Sequence, residues 1–187
     1  MSCPRASLLF GTCARKLEPH PGARSLAPQV QYGGPVTDPS SPRVRRASMP
    51  DLPRVAELFD AYRQFYGQPA DPDGARQFLR ERLQAGDSVV LVAEKEKRLV
   101  GFAQLYPAFS SQSMKRLWIL NDLFVTPAHR RAGVARALLS AAEDLARATT
   151  AKGLVLAMPK TNAAARALYE ARGWKPDELF DHYHRTF

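Results

Sequence analysis

Apolar residues recur along the chain at two periods, and the switches between them mark its elements. Leu52, Val55, Leu58, Phe59, Tyr62, Phe65 and Tyr66 keep helical spacing until Gly67 and Pro69 end the run. Ser48 stands three residues before Asp51, a capping-box spacing, with Pro50 in the first turn and a short strand over Val44–Ala47 ahead of it. A second helix is expected from about Gly74 to Ala85, with Phe78, Leu79 and Leu83 turned inward. The stretch SVVLVAEKEKRLVGFAQLYPAF holds two β-rich runs around Lys95-Glu96-Lys97, which predicts an antiparallel hairpin. RLWILNDLFV reads as a further strand ending at Thr126-Pro127. Val134, Leu138, Ala141, Ala142 and Leu145 mark the inner face of a helix over about Gly133–Thr149. GLVLAM, closed by Pro159, is the next strand, and NAAARALYEAR (162–172) a helix stopped by Gly173. DHYHRTF alternates and is expected as a last strand. No internal repeat is visible. The order βααβββαβαβ predicts an α/β (α+β) sheet with helices packed on it.

Composition separates the first 42 residues from the rest. They hold 7 of the 15 prolines with 4 glycines and 5 serines, and no period survives there. The expectation is a disordered leader, or a start assigned too far upstream, before a domain spanning 43–187. Arg5 and the short Leu8-Leu9-Phe10 run meet neither a secretory nor a transit pattern. No apolar run is long enough to span a membrane, so a cytoplasmic setting is expected. Cys3 and Cys13 are the only cysteines, and both fall in the leader. That argues against a disulfide scaffold, a structural zinc site or a cysteine nucleophile in the domain. The net charge of +9 points to an acidic ligand without naming it.

The stretch 120–139, LNDLFVTPAHRRAGVARALL, narrows that choice. A strand runs through Pro127 into Arg130-Arg131-Ala132-Gly133-Val134-Ala135 and then directly into an amphipathic helix. Small residues at Ala132, Gly133 and Ala135 let backbone N–H groups approach a ligand closely. They stand where a helix start leaves N–H groups unpaired and favours anions, and Arg130 and Arg131 add charge. The pattern reads as a diphosphate cradle. It is neither a GxxxxGK[ST] loop nor a GxGxxG fingerprint, so nucleoside triphosphate and dinucleotide sites are poorly supported.

With these residues in place, the sequence resembles the GNAT superfamily of acetyl-CoA-dependent N-acetyltransferases. The family's pyrophosphate pattern, [Arg or Gln]-x-x-Gly-x-[Gly or Ala], is met by Arg130, Gly133 and Ala135. NDLFVTP is similar to the family's fourth strand. Asn162, the run Ala167-Leu168-Tyr169-Glu170 and Gly173-Trp174 match a second family motif. The likeness covers roughly 43–187, and FYGQP (65–69) and WILNDLFV (118–125) resemble the branch of diamine acetyltransferases and small histone-acetyltransferase-like proteins. The resemblance implies a mixed, mostly antiparallel twisted sheet with a splayed strand pair that takes acetyl-CoA. It also implies direct transfer of the acetyl group to a primary amine. The strand Leu120–Val125, including Leu123, Phe124 and Val125, would hold the pantetheine and acetyl carbonyl, and 130–135, including Val134, the diphosphate.

The absence of a domain cysteine and of a Gly-x-Ser-x-Gly elbow suits a direct route. Tyr169 matches the tyrosine that protonates the departing thiolate in many members, although its spacing with Ala165 and Leu168 also suits a core aromatic. Asn162 suits either the pantetheine arm or a helix N-cap. Relatives in the diamine-type branch tend to carry Glu where Asn121 stands, and asparagine takes no proton. Asp122 then becomes the candidate base, yet in a regular strand it faces away from Asn121 unless a bulge re-aims it. A water chain, or an amine bound already neutral, is the alternative.

Other residues carry less. His182 and His184 share a strand face without a third ligand, so no metal is expected. His129 is placed at the rim of the phosphate loop, and Trp118, Phe102, Leu105 and Phe124 in the sheet core. Arg80, Arg82, Arg136, Arg147, Arg166 and Arg172 interleave with Glu81, Glu143, Asp144 and Glu170 as a solvated face, not a nucleic-acid stripe. Asp71-Pro72-Asp73-Gly74 reads as a turn and helix start before it reads as a polyamine contact. The acceptor stays open among polyamine, amino acid, aminoglycoside-like drug and protein lysine. Dimers are frequent in the family, which makes a homodimer an open expectation. The competing function is an acyl-CoA-binding sensor or regulatory module of the same fold.

Overall fold

The computed structural model describes residues 41–181, 183, 185 and 186. Cys3, Cys13, His182 and His184 lie outside them, as do almost all of the expected leader and its Tyr32, expected to be solvated. The strands are β1 (Arg43–Arg46), β2 (Val89–Lys95), β3 (Arg98–Ser110), β4 (Lys115–Val125) and β5 (Gly153–Val155). The helices are α1 (Leu52–Phe65), α2 (Pro72–Ala85), α3 (Val134–Ala148) and α4 (Ala163–Glu170). The strands form one sheet in the order β1-β2-β3-β4-β5, antiparallel throughout except for the parallel β4–β5 pair.

Local chemistry sets the element ends much as the spacing predicts. Ser48 and Asp51 form the capping box, and Arg45 grips the Asp51 carboxylate through two hydrogen bonds of 2.7 Å. That pairing, with the Ser48 donors, holds Asp51 down at about 2 although burial opposes it. Asp71 accepts from Gly74 N at 2.9 Å and caps α2, so the Asp71–Gly74 run is the helix start. Buried Asp60 ties the α1–α2 loop down by accepting from Arg63, Gln64 and the Asp71 backbone.

The sheet separates two cores. On one face Val89, Leu91, Ala103, Leu105, Trp118 and Leu120 pack against Leu138, Ala142 and Leu145 of α3. On the other, Val90, Val92, Phe102 and Phe124 meet Val55, Phe59 and Leu79 from α1 and α2. Phe59, Tyr62, Phe78, Phe102 and Phe124 form a connected set of aromatic rings in this second core.

Three expectations change. GLVLAM forms a strand only over Gly153–Val155, because β5 leaves β4 after Ile119 pairs with Val155. DHYHRTF supplies no strand among its described residues: alternation writes two faces, but a strand exists only where a neighbour completes its ladder. Arg172 and Glu143 are not part of a solvated face. Arg172 donates to both Glu143 oxygens at 3.0 and 2.6 Å, and Trp174 Nε1 adds a bond of 3.3 Å, clamping the end of α4 onto α3.

Candidate active site

The parting of β4 from β5 opens a cleft of ≈ 530 Å³. Leu120, Asn121, Leu123, Phe124 and Val125 line one side, Leu156–Pro159 the opposite side, and Asn162, Leu168 and Tyr169 of the α4 region the floor toward it. Tyr62, Phe65 and Tyr66 at the end of α1 complete the wall.

At one end the chain turns from β4 into α3. The Val100 carbonyl accepts from Thr126 N at 2.9 Å and Thr126 Oγ1 at 3.2 Å, and the same hydroxyl meets His129 Nδ1 at 3.0 Å. This pins the Pro127–His129 turn and places His129 beside the loop, as expected. Arg131 and Gly133 then take left-handed conformations, with φ of 62° and 78°. Gly133 is the N-cap position of α3, no side chain caps that terminus, and a Cβ there would meet nothing within 4 Å. The glycine is therefore required by its backbone angle, and open space lies in front of unpaired helical N–H groups. Ala135 and Arg130 line the cleft, Arg131 and Ala132 are exposed, and Val134 is buried in the α3 core and offers only its backbone. Arg130 donates from Nε to the Val125 carbonyl at 3.2 Å, and its guanidinium lies 5.3 Å from the Phe65 ring centre.

In the middle of β4 the strand is not regular. Gln104 of β3 pairs with Asp122 and Leu105 with Leu120, so Asn121 is an extra, unpaired residue. This bulge reverses the parity of the strand. Trp118 and Leu120 face α3, but after Asn121 it is Val125 that faces α3, while Asp122 and Phe124 turn toward α1. Asn121 and Asp122 end up adjacent, with Asn121 Nδ2 3.2 Å from each Asp122 oxygen. Tyr62 also donates to Asp122, which is only 5% exposed and stands behind Asn121 and Tyr62 rather than in the cleft wall. Burial raises the Asp122 pKa, and the two hydrogen bonds offset part of that rise. Burial and the Asp122 charge push Tyr62 up, and the same causes take Tyr106 to about 12.

Tyr169 lines the cleft and leans on Trp174 with ring centres 5.7 Å apart. Burial raises its pKa, so at neutral pH its phenol is protonated. Asn162 caps α4, its Oδ1 accepting from Ala165 N at 3.1 Å, and it also borders the cleft.

The structure thus gathers Asn121, Leu123, Phe124, Val125, Arg130, Ala135, Asn162 and Tyr169 on one cleft, with Asp122 just behind it. Sequence reasoning missed Tyr62, whose helical spacing marked it only as an apolar-face residue, and Gln104 opposite the bulge. The one signal for the bulge was the polar pair Asn121-Asp122 between two apolar runs. Among the described residues no group of three or more His, Cys, Asp or Glu side chains could hold a metal, and no helix is long and apolar enough to cross a membrane.

Comparison with known proteins agrees with this architecture. Residues 54–174 match the model of the acetyltransferase (GNAT) family. The chain is 49% identical over 140 residues to the uncharacterized N-acetyltransferase YhfO of Bacillus subtilis (strain 168), covering 75% of this chain and 94% of that protein. It is 32% identical over 119 residues to a probable acetyltransferase of Haemophilus influenzae, covering 63% and 80%. A crystal structure of a probable acetyltransferase superimposes with a TM-score of 0.74 at 41% identity, covering 78% of this chain and 97% of that one. The chain belongs to the GNAT acetyltransferase family.

Proposed function

We propose that the protein moves an acetyl group from acetyl-CoA to a primary amine by direct attack. The observation that carries this reading is the bulge at Asn121, which brings a buried carboxylate to the α1 side of the same cleft that Tyr169 lines. The residues fit the cosubstrate. The cleft between parting strands suits an extended pantetheine arm beside Leu123–Val125, and the open, uncapped start of α3 at Gly133, with Arg130 and Arg131, suits a diphosphate. When bound, acetyl-CoA supplies a thioester carbonyl carbon, where a C–N bond forms as the C–S bond breaks.

The chain's own residues move two protons. Tyr62 lines the cleft and donates to Asp122, so its oxygen takes a proton from the amine as its own passes to Asp122. The raised pKa makes that carboxylate a better proton acceptor than a solvated one. On the far side, Tyr169 gives its phenolic proton to the thiolate and recovers one from solvent. Asn162 holds the arm through Nδ2 while Oδ1 caps α4. The absence of a carboxylate at Asn121 favours the sensor alternative, and Tyr169 in the cleft counts against it.

With this reading go a small-molecule or peptide acceptor, a cytoplasmic setting, a homodimer to be checked by light scattering, and no metal, membrane or nucleic-acid requirement. The test is thiol release from acetyl-CoA with a panel of linear diamines, amino acids, aminoglycosides and lysine peptides. At least one primary amine should drive release, unaffected by EDTA or heparin. Gly133→Glu should abolish it, while Gly133→Asn, which tolerates the left-handed backbone, should retain it. Normal turnover by Gly133→Glu would overturn the cofactor assignment.

A further inference from the structure

The end of α1 overruns the second core. Helical spacing puts Phe65 and Tyr66 on the apolar face with Tyr62, yet they remain 58% and 46% exposed, and both border the cleft. Adjacent open rings in a cleft wall are a surface that a ligand can cover. Their arrangement is ordered. Tyr66 meets Tyr62 edge-on with ring centres 5.0 Å apart, and Phe65 meets Tyr66 edge-on at 5.4 Å. Burial, more than any charge, raises the pKa values of Tyr62 and Tyr169, and the nearby Tyr66 phenol adds to the rise in both. The open rings therefore border the two phenols that move protons rather than a remote surface.

Charge narrows what can cover them. Among the described residues no Asp or Glu side chain lines the cleft, and Arg130 is its one charged wall residue, with its guanidinium 5.3 Å from the Phe65 ring centre. Asp122 is buried behind the wall. In the adjoining α1–α2 segment, Asp60 accepts from Arg63, Gln64 and the Asp71 backbone, and Asp71 caps α2 through Gly74 N. A second or third ammonium entering this cleft would lose water, find no carboxylate and meet Arg130. A single amine on an aromatic body avoids that loss: its ring extends the row of rings, and its one nitrogen goes to Tyr62. We infer that the acceptor is a primary monoamine carrying an aromatic ring, held by Phe65 and Tyr66, and that polyamines and aminoglycosides are selected against. This rests on the proposed acetyl transfer and names its acceptor class. Phe65 and Tyr66 act on the choice of acceptor and take no part in proton transfer.

The experiment uses the full chain with acetyl-CoA and, as acceptors, phenethylamine, tyramine, hexylamine, putrescine and an aminoglycoside. kcat/KM should be highest for the two aromatic monoamines, by about tenfold over hexylamine, which is apolar but has no ring, and by more over the polycations. Tyr66→Ala should raise KM for phenethylamine about tenfold, with kcat and KM for acetyl-CoA little changed. Tyr66→Phe, which keeps the ring, should restore it. Tyr66→Glu, which places a carboxylate among the rings, should shift the preference toward putrescine. Tyr66 is half exposed, so these variants should fold. A wild-type preference for hexylamine, putrescine or the aminoglycoside would overturn the inference and leave acetyl transfer standing. So would a Tyr66→Ala effect confined to KM for acetyl-CoA, which would make the rings a wall for the cosubstrate. Calorimetric binding of phenethylamine to the CoA-saturated protein reads the site without turnover. Binding that Tyr66→Ala abolishes, with no amine acetylated, would sustain the aromatic site and overturn the proposed function. Absence of both binding and acetylation would overturn both.

Discussion

On the α3 side of the sheet, Leu91, Leu105, Trp118 and Leu120 meet Leu138 and Leu145 with only apolar residues buried between them. On the α1–α2 side β3 and β4 bury Gln104 and Asp122, Ser88 is buried just before β2, and α1 adds Asp60, which accepts from Arg63, Gln64 and the Asp71 backbone. These four are all the buried polar residues among the described ones. Burying polar groups lowers stability unless they are paired, so their confinement to one face separates two tasks. The α3 face holds the sheet together. The opposite face gives up some stability to keep a carboxylate out of water beside the cleft.

That comparison breaks most sharply at Asp122. Asp122→Asn should lower kcat by about 10²–10⁴-fold, the usual range for losing a positioned base. It should also melt at a higher temperature than wild type at neutral pH. The sign follows from the raised pKa: such a carboxyl stabilises the fold fully below its unfolded value, and loses that contribution as pH rises through the folded one. At neutral pH the charge is a burden that asparagine removes. Melting curves against pH check this, and a lower melting point at neutral pH would contradict it. By the same pKa, the wild-type rate should fall on acidification at a higher pH than an ordinary carboxylate dictates.

Leu138→Ala tests the other face. Leu138 is fully buried against the sheet, and its truncation should cost about 2–5 kcal/mol in denaturant melts. Where the variant remains folded, kcat should stay within a few-fold of wild type. A large loss of kcat with little loss of stability would mean the two faces are not divided in this way.

How much of this was readable from the sequence depends on how local each feature is. The turn over Arg130–Ala135 is contiguous, and the angle at Gly133 and the small neighbours are written in a single run, so its role was legible. The Lys95–Lys97 hairpin and the Asp71 cap were legible for the same reason. The base side is assembled from α1, β3 and β4. Nothing in the period of α1 marks Tyr62 as the residue that reaches Asp122, and nothing in β3 marks Gln104 as its opposite number. A bulge could be named as the condition for Asp122 to turn, but whether it forms is a matter of register between two strands, which a single strand does not record. The Glu143–Arg172–Trp174 clamp joins residues 29 to 31 apart, and one-residue patterns cast both charges as solvated.

The clamp sets a smaller effect. Arg172→Ala should cost about 1–3 kcal/mol and lower kcat through Tyr169, which sits on the helix it anchors. Burial pushes Glu143 up, but the bonds from Arg172 and Trp174 and the nearby arginine charges outweigh it and leave the pKa below the ordinary value. The clamp is therefore at full strength above the unfolded value and weakens as pH falls through the folded one. The melting difference between wild type and variant should shrink in acid, measured by the same pH series.

Asn162 gives the finest test, because one side chain serves fold and cleft through different atoms. Its Oδ1 accepts from Ala165 N, so Asn162→Ala should lose a cap worth about 1 kcal/mol. Asn162→Asp keeps an oxygen for that bond and places a negative charge at the helix start, where it is favoured, so stability should hold. The aspartate has no Nδ2 to offer the cleft. The KM for acetyl-CoA should then rise several-fold in Asn162→Asp, with kcat and melting temperature little changed. If KM stays at the wild-type value, Asn162 is a cap alone, and cofactor binding at that end of the cleft rests on the backbone of β4 and the start of α3.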